Sequence, residues 1–163
     1  MTPPYRVGDE LPPLEIPVTR TLIVAGAIAS RDYQDVHHDA ASAREKGSPD
    51  IFMNILTTNG LVGRYITDHF GPTAVLRKVA IRLGAPNYPG DVLRLTGRIT
   101  ELRTADTSSA DASPGDASSD EVVDAVEAIE AVVQVTGGNG IGRHVTGTVA
   151  VTLPEPSVKR AGA

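Results

Sequence analysis

The stretch SRDYQDVHHDAASA, residues 30–43, holds two of the chain's four histidines together with three carboxylates. Asp32 and His37 lie five residues apart, with Gln34 between them. An imidazole titrates near neutral pH, where a carboxylate is ionised, so such a pair can move protons to and from one water molecule. A turn would aim both side chains at that water while the Gln34 amide orients it. By residue type alone, a polar surface loop accounts for the stretch equally well.

Metal binding and nucleophilic catalysis are the other chemistries that these residue types support. His37 and His38 are adjacent, so in a regular backbone their side chains point in different directions, and a metal would need further ligands such as Asp35 or Asp39. The spaced-histidine signatures of metal sites are missing, and the chain has no cysteine. Ser30 lacks the glycine-flanked elbow of a serine nucleophile. An acid–base pair without a metal is therefore favoured over both.

Other polar residues carry weaker signals. Asn54 interrupts an apolar segment and must find a hydrogen-bond partner, so it is either a core residue or a site residue. Asp39 is expected to cap a helix that begins in HDAASARE. His38 is expected in a loop or on the surface, and His69 and His144 are expected at solvated positions rather than as ligands.

Composition limits the classes of function. The formal net charge is −5, and no run of Lys and Arg forms a phosphate-binding patch, which argues against nucleic acid. The lack of cysteine fits a reducing compartment. No segment approaches the roughly 18 apolar residues of a membrane span, and the N-terminal MTPPYRVGDELPPLEIP lacks the residue order of a signal peptide. We expect a cytoplasmic protein that binds neither nucleic acid nor membrane.

A long helix is the clearest predicted element. Ser48 can be its N-cap, Pro49 fits the first helical position, and Gly71-Pro72 ends it. Its apolar face is broad, which indicates a buried helix. Periodicity does not decide whether the short apolar run TLIVAGAIA, residues 21–29, is helix or strand.

Strands are predicted after this helix from alternating apolar residues, at 74–84, 91–103, 126–138 and 143–153. The last two are joined by a glycine-rich hairpin turn, Gly137 to Gly140. A long helix followed by antiparallel strands is an α+β arrangement, and residues 1–163 are expected to form a single domain. The segments expected to lie outside the packed fold are an extended leader at 1–18, a disordered Asp-, Ser- and Ala-rich loop at 104–120, and a loose tail at 154–163.

The stretch SRDYQDVHHDAASA resembles the signature of the MaoC-like, hydratase-2 enoyl-CoA hydratases. Asp32 falls on the signature aspartate and His37 on the signature histidine with the same spacing, while Gln34 stands where the family usually has Asn. LGAPNYPGDVLRLTGRI also resembles the family's bulged strand and Gly-Asp turn. The resemblance implies a hotdog fold, in which an antiparallel sheet wraps around a long central helix, here the helix from Ser48.

The resemblance also implies an activity, namely addition of water across a trans-2-enoyl-CoA to give a 3-hydroxyacyl-CoA. Asp32 and His37 would hold the water, and Gln34 would orient the water or the pair. Where the family usually has His-Gly, this chain has Asn54-Ile55, so the Ile55 N–H would stabilise the enolate-like oxygen. Tyr88 either lines the acyl pocket or fills a corner. No metal or redox cofactor is required, since the substrate itself carries coenzyme A.

Two segments, RDYQDVHHD and DIFMNILTTNGLVGRYITD, most resemble the small subunit of heteromeric hydratases that act on steroid side chains of the cholesterol type. This implies a second hotdog subunit that lacks the dyad, in a heterodimer or heterotetramer, with a homodimer as the alternative. Two other functions stay open. A hotdog thioesterase would carry its carboxylate on the central helix, and in the first half of the expected helix the only acid of this chain is Asp50, at the capped end. A non-catalytic scaffold subunit is favoured by the replaced His-Gly and disfavoured by the intact Asp32/His37 pair.

Overall fold

The structure, a computed structural model, describes residues 5–105 and 128–154. Within them the chain forms five strands, three α-helices and one turn of 3-10 helix. In chain order these are β1 (Glu10–Pro17), α1 (Arg20–Ala29), the 3-10 turn (Asp35–His37), α2 (Ala40–Glu45), α3 (Ile55–Phe70), β2 (Val75–Leu83), β3 (Val92–Ala105), β4 (Ala128–Gly138) and β5 (Arg143–Pro154).

The strands form one antiparallel sheet in the order β1-β3-β4-β5-β2. Alternate residues of the central strands face α3 and are buried, as in β3 with Leu93, Leu95 and Ile99, while Arg94, Thr96 and Arg98 are exposed. The buried face packs against Val62, Tyr65 and Ile66 of α3. The predicted α+β arrangement of a sheet around a long helix is therefore confirmed, because the period-two pattern correctly identified the buried face of the sheet.

The start of the long helix was predicted wrongly. α3 begins at Ile55 with Asn54 as its N-cap, and not at Ser48. The Ser48 hydroxyl instead donates to the Asp50 carbonyl at 2.7 Å. Residues 51–53 run without helical structure because the Phe52 N–H donates to a carbonyl in the 3-10 turn and the Met53 N–H donates to Asn87. Contacts with remote segments outweighed a plausible local cap.

The undecided run TLIVAGAIA is helical, since it lies within α1. The Thr19 hydroxyl caps α1 by accepting from the Leu22 N–H at 3.0 Å. Ile23 and Ala27, four residues apart, are its buried residues. That spacing places both on the face of α1 that turns inward.

The chain before α1 is not merely an extended leader. Residues 10–17 form the edge strand β1, which pairs with β3 through a bulge between Leu11 and Leu14. Pro12 and Pro13 fall at this bulge, and proline is tolerated on edge strands and at bulges because it has no N–H to donate. The expected loop begins inside β3, since Thr104 and Ala105 are strand residues, and its remainder lies outside the described residues, as does the tail after Pro154.

Among the helices in the described ranges, none is long and apolar enough to cross a membrane.

Candidate active site

Asp32 is positioned by the C-terminal end of α1. Ser30 is the C-cap, the Arg31 N–H donates to the Ile28 carbonyl at 3.1 Å, and the Asp32 N–H donates to the Ala27 carbonyl at 2.9 Å. This is the hydrogen-bond pattern of a Schellman motif, in which the residue after the cap adopts left-handed backbone angles. That residue is Arg31, with a φ of 57°, where glycine is usual. The motif turns the chain sharply and carries Asp32 off the end of the helix.

The 3-10 turn places His37 opposite Asp32. His37 is 6% exposed, and its Nδ1 lies 2.7 Å from the Phe52 carbonyl oxygen. Because a carbonyl only accepts, Nδ1 must carry the proton, so Nε2 of the neutral ring is a free acceptor. His37 Nε2 lies 3.4 Å from Asp32 Oδ2. The Phe52 ring meets the imidazole edge to face at 5.0 Å and fixes its plane.

This geometry suits the binding of one water molecule. At 3.4 Å the two acceptor atoms are too far apart for a good direct hydrogen bond. A water can instead donate one O–H to the Asp32 carboxylate and the other to His37 Nε2, which leaves its lone pairs free to attack a carbon. His37 can then accept one of these protons and return it, as a general acid–base group does.

Asn54 links the dyad to the N-terminus of α3. Its side chain is almost fully buried, and its Oδ1 accepts from the Thr57 N–H at 2.9 Å, which makes it the helix cap. Its Nδ2 donates to Ser30 Oγ and to Asp32 Oδ2, each at 2.9 Å. The amide is therefore oriented by its partners. Asn54 serves both as a core hydrogen-bonding residue and as a neighbour of the dyad, so its two predicted roles are not exclusive.

Ser30 is placed as a supporting residue of this site. Its hydroxyl donates to the Gly26 carbonyl at 2.7 Å, which leaves its oxygen free to accept from Asn54. Sequence reasoning considered Ser30 only as a nucleophile and missed this role. A hydroxyl at a helix end is a general signal for such a contact, but it does not name the partner.

The hydrogen bond from Asn54 is the largest cause that holds the pKa of Asp32 below its usual range, with smaller help from the Gln34 N–H and His37, while partial burial opposes it. A carboxylate with a lowered folded-state pKa stabilises the fold above its unfolded pKa, about 3.9, and this contribution is lost as the pH falls through the folded value. We therefore expect the difference in unfolding free energy between the wild type and Asp32→Asn to be constant above about pH 5 and to shrink below it. Urea unfolding across pH 2 to 7 measures it. A difference that instead grows on acidification would contradict the assignment.

Asn54→Asp separates the two roles of Asn54. Asp is as good a helix cap as Asn, so α3 should keep its N-terminus, but the buried like-charge pair should lower the free energy of unfolding by more than about 1 kcal/mol near neutral pH. The new carboxylate would face Asp32 Oδ2 where the amide now donates, and like charges raise a carboxyl pKa. We expect the pKa of Asp32 to rise and any activity of the dyad to fall by at least about tenfold. Asn54→Ser, another good cap without the charge, is the matched control, and carboxyl-carbon NMR titration is the measurement.

Ile55 is the first residue of α3, and its N–H finds no acceptor within the described residues. The N–H groups of a helix N-terminus carry partial positive charge and suit a developing oxyanion. Ile55 therefore retains a free donor beside the cap, although its side chain replaces the usual glycine. Its role as oxyanion donor stays a prediction.

The side chains of Gln34 and Tyr88 form no hydrogen bond to Asp32 or His37. The Gln34 side chain is exposed and makes no hydrogen bond to the described part of the chain, and only its backbone N–H approaches Asp32, at 3.4 Å. The Tyr88 ring lies 6.4 Å from that of Phe52, which in turn contacts His37. Tyr88 is thus separated from His37 by the Phe52 ring. The water-orienting role of Gln34 and the pocket-lining role of Tyr88 stay predictions.

The remaining polar residues of the opening stretch are engaged elsewhere. Asp39 caps α2, as expected, by accepting from the Ala41 N–H at 2.8 Å. His38 is exposed, with Nε2 at 3.2 Å from the Tyr33 carbonyl. Lys46 and then Ser42, as hydrogen-bond donors, lower the pKa of Asp35 to about 2. Across residues 5–105 and 128–154, no three His, Asp or Glu side chains converge as metal ligands would.

Large exposed apolar side chains flank the dyad in sequence. Ile28 and Tyr33 lie on either side of Asp32, and Ile55 and Leu56 directly follow Asn54. Single exposed apolar residues are ordinary, but four of them beside the candidate site residues along the chain favour a binding surface here.

No protein-family model matches the chain. A curated relative is 40% identical over 147 residues, 90% of this chain and 95% of that protein, namely the 3-oxo-4,17-pregnadiene-20-carboxyl-CoA hydratase beta subunit of Mycobacterium tuberculosis (strain ATCC 25618 / H37Rv).

Solved structures with a similar fold include a chain of the ChsH1–ChsH2 complex from Mycobacterium tuberculosis. It has a TM-score of 0.72 and 39% identity, over 91% of this chain and 98% of that one. The (R)-hydratase from A. caviae involved in PHA biosynthesis has a TM-score of 0.71 over 93% of this chain and 98% of that one. At 18% identity, the second likeness shows the fold alone.

Proposed function

Because this chain belongs to the MaoC-like, hotdog-fold hydratases, a family of hydro-lyases, we propose that it is the catalytic subunit of a heteromeric enoyl-CoA hydratase. The observation that carries the proposal is the convergence of Asp32 Oδ2, His37 Nε2 and Asn54 Nδ2 at the N-terminus of α3. These groups come from three separate segments, and a scaffold subunit would have no need of them.

The proposed reaction adds water to the C2–C3 double bond of a trans-2-enoyl-CoA. The thioester polarises the alkene, so the water oxygen bonds to C3 while His37 Nε2 takes one of its protons. The electron pair of the double bond moves toward the thioester oxygen, and C2 then accepts a proton from the dyad. Asp32, held ionised by Asn54, stabilises the imidazolium that forms between these steps.

The enolate-like oxygen needs a donor, and the Ile55 N–H is proposed to supply it. The N-terminal groups of α3 are preorganised by the Asn54 cap, so no reorganisation is needed as charge develops. A thioesterase is less well supported, because the one acid within α3 is Asp68. It pairs with Arg64 at 3.0 Å in the last turns of the helix, away from the cap.

For the substrate, we propose a steroid side-chain enoyl-CoA. The exposed Ile28, Tyr33, Ile55 and Leu56 near the dyad suit a large apolar acyl group. The name of the Mycobacterium tuberculosis relative specifies a pregnadiene carboxyl-CoA, which is a steroid thioester. The substrate itself brings coenzyme A, and the mechanism proposed for this chain uses no further cofactor.

For the partner, we propose a second hotdog chain that lacks the dyad. β2 lies at one edge of the sheet, so its outer backbone groups pair with no strand in the described ranges. Val75 and Leu76 at its start are exposed. An edge strand with apolar side chains is suited to strand pairing or helix cover by another chain. The solved complex with a similar chain contains two differently named subunits, which supports a heteromer.

Co-expression with a candidate dyad-less hotdog partner, followed by co-purification, tests the proposal. Loss of enoyl absorbance is then followed with short-chain and steroid side-chain enoyl-CoAs, and free thiol is measured in parallel. We expect hydration of the steroid thioester without thiol release. Activity on short chains alone would refute the steroid assignment, and thiol release would indicate a thioesterase. A stable complex without either activity would indicate the scaffold function.

A further inference from the structure

His144 was expected at a solvated position, and this was wrong. It is 1% exposed, and from β5 its ring contacts α3 and the segment that follows β2. β5 pairs with β4 so that Gly137 opposes Val145 and Gly138 opposes Arg143, which leaves His144 as the extra residue of a β-bulge. A bulge redirects one side chain out of the regular alternation. Strand parity would point His144 outward, but the bulge turns it into the core.

Both ring nitrogens of His144 have partners. Nδ1 lies 2.6 Å from the Ala85 carbonyl oxygen, and Nε2 lies 2.9 Å from Thr58 Oγ1. The carbonyl only accepts, so Nδ1 carries the proton. Burial lowers the pKa of His144, against weaker opposing effects of the Ala85 carbonyl and Asp91. The ring is therefore neutral near pH 7, and its Nε2 accepts the Thr58 hydroxyl proton.

Thr58 connects this histidine to the cap of α3. Its N–H donates to the Asn54 carbonyl at 3.2 Å, and its hydroxyl donates to His144 Nε2 and so fixes the Thr58 side chain behind that carbonyl. The main chain of Asn54 is thus held from the protein interior while its side chain holds Asp32 and Ser30.

A second anchor lies just before the cap. The Met53 N–H donates to the Asn87 carbonyl at 3.0 Å. Both anchors therefore end in the same short segment, Ala85 to Asn87, which is itself bound to β5 through the Ala85 N–H and the Arg143 carbonyl at 2.8 Å. Asn54 is therefore fixed on its N-terminal side through Met53 and the loop, and on its C-terminal side through Thr58 and the bulge.

We propose that His144 and Thr58 are positioning residues of the hydratase site, which hold Asn54 so that its amide and the adjacent Ile55 N–H keep their places relative to Asp32. This inference rests on the proposed function for its kinetic consequence, but its structural consequence is independent of it. Neither residue hydrogen-bonds to Asp32 or His37. Neither takes part in the proposed proton transfers. A buried, neutral histidine with hydrogen bonds at both ring nitrogens, directly behind a helix cap, is suited to holding that cap in place.

Thr58→Val tests the inference, because it removes the hydroxyl at nearly constant volume and leaves His144 Nε2 without a donor. In the complex with the partner, we expect kcat to fall about tenfold with KM nearly unchanged, since small displacements of catalytic groups lower rate more than binding. We also expect the pKa of Asp32, from carboxyl-carbon NMR, to rise as the Asn54 hydrogen bond loosens. Thr58→Ser keeps the hydroxyl and should restore both values.

Val62→Ala is the control for a purely structural effect, since Val62 is buried on the same helix and has no polar role. It should lower the melting temperature without moving kcat or the pKa of Asp32. Equal effects of Thr58→Val and Val62→Ala, or an unchanged Asp32 titration in Thr58→Val, would overturn the inference.

Imidazole nitrogen NMR on the unmodified complex supplies a test that needs no variant. We expect His144 to be neutral with its proton on Nδ1 at pH 7 to 8, and a doubly protonated ring there would contradict the inference. If the wild type hydrates no enoyl-CoA, the proposed function fails, whereas the Asp32 titration still decides whether Thr58 positions Asn54.

Discussion

Asp32→Asn and His37→Asn are each expected to reduce hydration of an enoyl-CoA by at least about 100-fold, while leaving assembly with the partner intact. Asn at 32 keeps the shape of the carboxyl group but loses the charge that stabilises a protonated imidazole. Asn at 37 can still donate to the Phe52 carbonyl, which His37 Nδ1 contacts at 2.7 Å, but it cannot take a proton from water. Steady-state kinetics of the purified complex measure the loss.

The two side chains should act as one unit on a single water. The double variant is therefore expected to lose little more activity than either single variant, because residues that act together are strongly non-additive. His38→Asn is the matched control, since His38 is the exposed neighbour with a contact to a backbone carbonyl only. Full activity in both single variants would remove Asp32 and His37 from the mechanism, and a loss in His38→Asn of similar size would reassign the catalytic histidine.

Gly26→Ala is expected to have the second large effect, through the crossing of α1 and α3. A Cβ at Gly26 would lie 2.2 Å from Thr57 Oγ1 and 2.8 Å from its Cγ2, so the two helices must move apart. Such overpacking typically destabilises a fold by about 1–3 kcal/mol. Gly26 also lies one turn before Ser30, and its carbonyl accepts a hydrogen bond from the Ser30 hydroxyl. Displacement of α1 would therefore carry Ser30 and Asp32 away from Asn54. We expect activity to fall by about 100-fold.

Gly60→Ala is the control for the helix-propensity part of this change, because a Cβ there meets nothing within 4 Å. It should stabilise the protein by about 0.5–1 kcal/mol, since alanine favours an exposed helix interior. Thr57→Ala should partly rescue Gly26→Ala, as it removes the two closest atoms and a buried hydroxyl that has no partner in the described residues. Urea unfolding of the wild type, Gly26→Ala, Thr57→Ala and the double variant forms the cycle. Wild-type stability and activity in Gly26→Ala would refute the close crossing.

Much of the fold follows from local pattern. The alternation over 91–103 marks the buried face of β3, and Asp39 was correctly identified as a cap because an N-cap bonds residues two and three positions ahead. Such features depend on neighbours in the chain, and they are readable before the chain is folded. The resemblance of SRDYQDVHHDAASA to a family signature indicated the family, and it predicts Asp32 and His37 as the dyad.

The start of α3 could not be read in this way. Ser48 and Asn54 are both good caps, and the choice between them was made by hydrogen bonds from Phe52 to Val36 and from Met53 to Asn87. Those partners lie far along the chain. Local preference is worth about 1 kcal/mol at a cap, so two backbone hydrogen bonds in a buried segment are enough to decide it.

Residue types and their alternation along the chain predicted the α+β class, and the resemblance of residues 30–43 to a family signature indicated the family and predicted Asp32 and His37 as its dyad, because each depends on residue type and on short separations. Only the tertiary structure decided what holds the dyad. The contact from Asn54 to Asp32 spans 22 positions, and that from Thr58 to His144 spans 86. A bulge in β5 turns His144 inward against the strand alternation. Contacts across such separations form only when the sheet brings remote segments together, and no local periodicity encodes them.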